Sequence, residues 1–411
     1  MRFTRARWLV GSLAVLAVAS SACSGSTGGS TGAGSTPGGE PIKIAFIGTT
    51  ESQVYNFAES AAAVQARIAA QNKAGGVNGR QLEAIVCNDK ADANEAAVCA
   101  RSAQTEGAVA VVGGVSAVGN ALAGALDSYG IVYTGMRPLA PAETNAKVSF
   151  PLVGGGSSSG GGAGMYAVEG LGCKTPYTIA GDVPANRATT AGFVAGVKAA
   201  GGAAPQGVLT PAAVADYAPT AAAAANAGAD CIYLAMSPEE IVKIVPALRQ
   251  AMPAATLIGS SGAFPPPTVK ALGDRAEGIV LTDSLVPVGV TGNAVIDQFK
   301  AEMKENAPDA AVDGFALSSW FGTKVLIDRV LSTLDGQVDA KAVLNAYNAL
   351  GDIRGDGVQG DFSFQTPSPY AAQPRLFNRT YVVLVVKGGA QTLKDGAEFH
   401  DATKAMQALN S

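Results

Sequence analysis

The sequence predicts an α/β protein built from two arrays of parallel β-strands, each flanked by helices. Short apolar, β-rich runs alternate with helical segments of about ten to fifteen residues, which is the pattern of strand–helix–strand units. The alternation breaks once, at a glycine-rich stretch beginning at Gly154, and then resumes. Of the 411 residues, 48% are hydrophobic and 15% charged, enough apolar surface for more than one core.

In the first array, Ile42–Gly48 reads as a strand and Phe57–Asn72 as a helix, with Val64 and Ile68 at helical spacing before the turn Gly75-Gly76-Val77-Asn78-Gly79. Gln81–Cys87 is the next strand and Ala93–Thr105 the next helix. The stretch Gly107–Pro138 then reads as one βαβ unit with a right-handed crossover: strand Ala108–Val112, turn Gly113-Gly114, helix Ser116–Leu126, strand Ile131–Thr134. That turn sets Ser116 and free backbone N–H groups at a helix N-terminus, a place suited to a small anionic ligand. Lys147–Val153 adds a last strand.

Gly154–Gly164, GGGSSSGGGAG, is too dense in glycine to start a packed element on propensity alone. After it come strands at Tyr177–Ala180, Val208–Thr210, Ile232–Ala235, Thr256–Gly259 and Gly278–Val286, alternating with helices at Thr190–Ala200, Thr220–Ala227 and Pro238–Met252. Three helices follow (Ala294–Glu305, Phe315–Thr333, Ala340–Leu350), then β-type segments at Asp361–Phe364 and Thr380–Val386, and a final helix at Ala397–Leu409. Late helices with few new strands need a sheet to cover. The simplest solution returns the chain to the first array and lets the tail join the second. Trp320 lies on an apolar helical face and is expected in the core.

Residues 1–22 have a basic start and an apolar stretch, Trp8–Val18, that is too short to span a membrane, and so read as a signal peptide. Cys23, directly after Ser20-Ser21-Ala22, resembles the lipidated cysteine of a bacterial lipobox. Residues 23–41, rich in glycine, serine and threonine, would then be a lipidated flexible linker. The expected location is extracytoplasmic, anchored to the cell membrane by lipid. The net charge of −4 becomes more negative once Arg2, Arg5 and Arg7 are removed, and no basic cluster offers a nucleic-acid surface.

Four cysteines remain, an even number for an oxidising compartment. Cys87 ends a strand and Cys99 lies on the next helix, so a local bridge is expected. Cys173 and Cys231 each precede or open a strand and bridge if those strands are neighbours; buried free thiols are the alternative. No CxxC occurs and the single histidine, His400, is remote, so no metal is expected.

Several features coincide in order: strand Ile42–Gly48, the turn GGVNG before Arg80-Gln81-Leu82, Asn88-Asp89 after a strand, Val111–Ser116, and Gly130–Pro138. Together they resemble the type I periplasmic binding proteins, specifically the leucine/isoleucine/valine-binding branch that supplies ABC importers. The resemblance implies a two-lobed Venus-flytrap with three hinge crossings, near Ser149–Val153, Asp283–Pro287 and Gly357–Asp361. The lobes would comprise residues 42–150 plus 286–358, and 151–285 plus 359–411. It also implies a non-enzymatic monomer that hands a small solute to permease subunits; a ligand sensor signalling to a membrane partner would share the fold.

Carried over residue by residue, Ser116 matches a hydroxyl that helps hold a ligand carboxylate, and Tyr55 and Phe57 fall where relatives place an aromatic wall. The chain departs from the amino-acid pattern at Met136-Arg137-Pro138-Leu139, where Arg137 could clamp a carboxylate. It departs again at Ser260-Ser261-Gly262, where an ammonium-binding carboxylate is missing. Another acid, Asp182 or Asp283, would have to reach a ligand ammonium, since a desolvated unpaired ammonium costs several kcal/mol. Ser261 and Met236 complete the expected ligand contacts.

A serine hydrolase is the enzymatic alternative, because Gly156-Ser157-Ser158-Ser159-Gly160 matches G-x-S-x-G with Ser158 as nucleophile and His400 downstream. The same pattern recurs at Gly28–Gly32, so within glycine–serine runs it carries little information. His400, in Glu398-Phe399-His400-Asp401, reads as a solvated residue opening the last helix. Gly113-Gly114 does not extend to G-x-G-x-x-G, and no cofactor is expected.

Overall fold

Strands β1 (Ile42–Gly48), β2 (Leu82–Asn88), β3 (Ala110–Gly113), β4 (Val132–Thr134) and β5 (Ser149–Phe150) form an all-parallel sheet in the order β2-β1-β3-β4-β5. The computed structural model describes residues 39–52, 56–211, 214–394, 396 and 398–411. Because side chains alternate along a strand, β1 feeds two cores: Ile42, Ile44 and Phe46 enter one, Ala45 and Ile47 the other. Helices therefore cover both faces. Helix α1 (Ala58–Lys73) lies on the Phe46 side, and α2 (Ala93–Thr105) with α3 (Gly119–Tyr129) on the Ile47 side. Asp92 caps α2 through Asn94 N and Glu95 N, and Gly130, at φ +66°, ends α3.

The second sheet holds β6 (Pro176–Gly181), β7 (Gln206–Thr210), β8 (Cys231–Ala235), β9 (Thr256–Ser260) and β10 (Val280–Asp283), all parallel, with helices α4 (Gly156–Glu169), α5 (Pro184–Ala199), α6 (Ala218–Asn226), α7 (Pro238–Ala251) and α8 (Pro266–Leu272). The chain then returns to the first sheet, where α9 (Ala294–Asn306) and α10 (Gly314–Val325) pack on α1, and α11 (Ala340–Ala349) packs on β4. A short antiparallel pair, β11 (Asp352–Ile353) and β12 (Phe362–Ser363), precedes the tail. There β13 (Thr380–Lys387), β14 (Ala390–Leu393) and β15 (His400–Asp401) extend the second sheet antiparallel, before α12 (Thr403–Ala408). Trp320 is fully buried, and its indole N–H donates to Glu302 Oε2 at 2.7 Å.

The segments linking the sheets are bonded to one another. Gly154 N donates to Ser284 Oγ at 2.9 Å, Val286 N to Val358 O at 2.8 Å, and Asn378 Nδ2 to Leu152 O at 2.8 Å. Both disulfides are present, Cys87–Cys99 and Cys173–Cys231, with Cα separations of 5.7 and 5.8 Å. The second forms because β6 and β8 are neighbours, with Pro176 opposite Cys231.

Three expectations fail here. The glycine run opens α4, a buried helix packed against α5. A Cβ on Gly160 would overlap the Thr189 carbonyl oxygen, one on Gly164 that of Phe193, and one on Gly196 that of Gly161. Glycines four apart on facing helices thus allow backbone-to-backbone contact, whose dispersion gain offsets a propensity cost of about 1 kcal/mol per glycine. The last helix is only Thr403–Ala408, because His400-Asp401 pairs with β13. The helix expected over Phe315–Thr333 leaves α-geometry after Val325 and ends through a wider turn and a 3₁₀ turn.

Candidate functional site

Arg137 follows β4 on a loop whose shape is set by buried groups. Gly135 turns the chain at φ +69°, and Arg137 N donates to Gly114 O at 3.1 Å. The fully buried Glu143 carboxylate accepts from Leu139 N at 2.8 Å, Ala140 N at 2.9 Å and the Tyr133 hydroxyl at 3.2 Å. Burial raises its pKa to about 7, against the lowering effect of those hydrogen bonds. A side chain at Gly119 would occupy the same space as this carboxylate.

From that loop the Arg137 guanidinium reaches the other sheet. Its Nη2 lies 3.2 and 3.3 Å from the two oxygens of Asp283, at the end of β10, and its plane sits over the Phe315 ring, 5.2 Å from the centroid. Asp283 also accepts from Ser284 N at 2.7 Å, Leu285 N at 3.2 Å and the Ser261 hydroxyl. With side-chain exposures of 19% and 10%, the pair is largely desolvated, and its net contribution depends on these extra hydrogen bonds. Arg137 Nε is buried with no partner among the described residues.

Arg137, Asp283 and Ser261 form the polar end of a cavity of about 250 Å³. Its walls are apolar, with Phe264, Val269, Leu285, Val286 and Phe315 among them. Phe57 tilts against Phe315 at a centroid distance of 4.7 Å, and Asp313 caps the helix that carries Phe315. Glu59, in the first turn of α1, is pushed up to about 7 by burial, with Asp313 adding to the rise. A guanidinium beside a carboxylate, at one end of an apolar chamber, can take a carboxylate ligand or a zwitterion.

The other expected contacts are placed differently. Ser116 is 1% exposed, and its hydroxyl donates to the protein's own Asp89 at 2.6 Å, so it is not free for a ligand carboxylate. It also precedes α3 by three residues instead of opening it. Asp182 is half-exposed and pairs with Arg187, whose Nε lies 2.7 Å away; Asp283, not Asp182, meets the Ser260-Ser261-Gly262 turn. Met236 is 4% exposed and packs in the apolar core. Tyr55 and Cys23 lie outside the described residues.

Ser158 and His400 are not brought together. The buried Ser158 hydroxyl has no hydrogen-bond partner among the described residues. His400, half-buried instead of solvated, stacks on Tyr381 at 5.2 Å and tilts toward Tyr166 at 6.2 Å, two turns along α4 from Ser158. Phe315 and Phe264 line the site without any signal in the sequence, because an apolar side chain facing a cavity and one facing a core have the same local pattern.

A two-lobed α/β protein with parallel sheets flanked by helices, and a polar contact between the carboxyl ends of their strands, defines a solute-binding class. The sequence matches the model of the periplasmic binding protein family over residues 41–390, and the chain belongs to that family, with the type I fold. No protein of curated function matches it. Similar solved structures include an extracellular ligand-binding receptor from Verminephrobacter eiseniae, at 21% identity and TM-score 0.73, covering 85% of this chain and 99% of that one. A leucine-, isoleucine-, valine-, threonine- and alanine-binding protein from Brucella ovis, in closed conformation, has 19% identity and TM-score 0.72, with coverages of 88% and 94%. An ABC-transporter solute-binding protein from R. palustris, in complex with 4-hydroxybenzoate, has 16% identity and TM-score 0.71, with coverages of 88% and 97%.

Proposed function

We propose that this protein captures a small carboxylate with an apolar body, an amino acid or an aromatic acid, between its lobes and delivers it to the permease of an ABC importer. The observation that carries this reading is the Arg137–Asp283–Ser261 contact at the polar end of the apolar cavity. A ligand carboxylate would take over the Arg137 guanidinium, and the unpartnered Nε would supply a further donor. An amino acid would set its ammonium on Asp283, the acid that meets the Ser261 turn. An acid without an ammonium would leave Asp283 on its two backbone N–H groups. The similar structures named for branched-chain amino acids and for 4-hydroxybenzoate support both chemistries as the first to test.

The protein acts without chemistry on its ligand, a reading supported by its membership of a family of binding proteins. It works as a monomer tethered outside the cytoplasmic membrane through lipidated Cys23. Lobes of residues 42–150 plus 286–358 and of 151–285 plus 359–411 turn about the three linking segments.

A thermal-shift panel of L-leucine, L-phenylalanine, benzoate and 4-hydroxybenzoate, each beside its amide, tests this reading. At about a hundredfold excess over Kd the bound form gains roughly 2.7 kcal/mol, a shift of a few degrees. An acid should raise the melting temperature where its amide does not, and Arg137→Ala should abolish the difference. Amides as effective as acids, or an unaltered response in Arg137→Ala, would rule the reading out.

A further inference from the structure

Two consecutive residues at the end of β2 are bonded to the loops that follow β1 and β3 in the first sheet. Asn88 Oδ1 accepts from Thr50 N at 3.1 Å, and its Nδ2 donates to Glu51 O at 2.9 Å. The fully buried Asp89 accepts the Thr49 hydroxyl on Oδ1 and the Ser116 hydroxyl on Oδ2, each at 2.6 Å. Thr49 O in turn accepts from Phe57 N at 3.2 Å, and Phe57 packs on Phe315, the ring under Arg137. On the other branch, the Gly114–Ser116 turn holds the backbone of Arg137 through Gly114 O.

The turn carrying this pair is strained and stapled. Lys90 and Ala91 follow with φ of +51° and +59°, left-handed conformations that L side chains avoid at a cost of about 1 kcal/mol or more each. Cys87, immediately before Asn88, is joined to Cys99 on α2, and Cys99 Sγ lies 3.6 Å from Asn88 O. A strained turn persists only where its surroundings over-determine it. Here the surroundings are the disulfide on one side and the two loop contacts on the other.

We propose that Asn88 and Asp89, held by the Cys87–Cys99 disulfide, are positioning residues for the ligand-facing side of the first lobe, a role that rests on the cleft being a binding site. The disulfide tunes ligand affinity through Phe57 and Arg137 as well as stabilising the fold. Its reduction loosens the loops before it unfolds the lobe.

Residue-resolved amide hydrogen exchange tests this without reference to any ligand. Asn88→Ala should speed exchange at the Thr50 amide by about fivefold and leave the amides of β9 unchanged. Asn88→Asp, which keeps the acceptor for Thr50 N but sets a carboxylate oxygen against Glu51 O, should restore only part of the protection. The Cys87→Ser/Cys99→Ser variant should loosen Thr50 and Phe57, whereas Cys173→Ser/Cys231→Ser, on the other sheet, should not. The same proteins are titrated with L-leucine and 4-hydroxybenzoate; whichever binds the wild type should bind Asn88→Ala several-fold more weakly, with partial recovery in Asn88→Asp. Unchanged exchange at Thr50 in Asn88→Ala, or equal loosening by the Cys173→Ser/Cys231→Ser control, overturns the proposal. If neither compound binds the wild type, the proposed ligand class falls, and exchange at Thr50 still decides the positioning role.

Discussion

Asp89 and Asp283 are chemically alike and structurally opposite. Each is a buried aspartate at the carboxyl end of a parallel strand, and each accepts a serine hydroxyl from the loop after another strand of its own sheet, two strands away for Asp89 and adjacent for Asp283. The Asp89 carboxylate is held by the first sheet's own loops, through Thr49, Ala91 and Ser116. Asp283 accepts from Ser261 and two adjacent backbone N–H groups, and its remaining partner, Arg137, comes from the other sheet. A carboxylate satisfied within one lobe is a fixed support. One whose last partner crosses between lobes can be released or re-paired when the lobes move or a ligand enters.

The largest loss is expected from Asp89→Ala. It strands two buried hydroxyls and removes charge-assisted hydrogen bonds worth about 1.5–3 kcal/mol each, so a loss of roughly 4 kcal/mol is expected in denaturant unfolding. A loss below about 1 kcal/mol would mean that Asp89 is no support at all. The next effect comes from another buried carboxylate, Glu143, which holds the Arg137 loop. Its folded pKa is raised to about 7 from 4.5. Between those values the unfolded chain has lost the proton and the folded one keeps it, so its contribution falls as pH rises through that window and is flat above it. The slope is about 1 kcal/mol per pH unit, and Glu143→Gln should remove it from a pH series of melting curves. The Arg137–Asp283 pair ranks third. A double-mutant cycle of Arg137→Ala with Asp283→Asn should give a coupling of about 1–2 kcal/mol, reduced by salt because the pair retains some exposure.

What was legible in the sequence was local. The apolar runs marked β1 to β4 and β6 to β10 with errors of a few residues at their ends, since burial on both faces makes such strands continuous apolar runs. Helix α4 was not legible, because glycine propensity argues against any helix and only the facing glycines of α5 override that preference. Asp89 and Ser116 are 27 residues apart and Arg137 and Asp283 146 apart, so no motif announces either contact. Arg137 stood out as a departure from a family pattern; its partner stood out only as one of two acids, and the fold selected Asp283 over Asp182.

The smallest expected effect discriminates best, because it makes one chemical change in two places. Ser116→Ala and Ser261→Ala each delete one hydroxyl donor to a buried aspartate. Ser116→Ala leaves the fully buried Asp89 with the Thr49 hydroxyl and one backbone N–H, and should cost about 1.5 kcal/mol of stability. Ser261→Ala leaves Asp283 with two backbone N–H groups and Arg137, and should cost about 0.5 kcal/mol. The functional readouts invert. Freed of one partner, Asp283 pairs more strongly with Arg137, and a ligand carboxylate must compete harder for the guanidinium. Affinity for an acid without an ammonium therefore drops more in Ser261→Ala than in Ser116→Ala, while stability drops less. If isothermal titration and unfolding instead rank the two variants in the same order, the two aspartates play the same part and the division between support and switch fails.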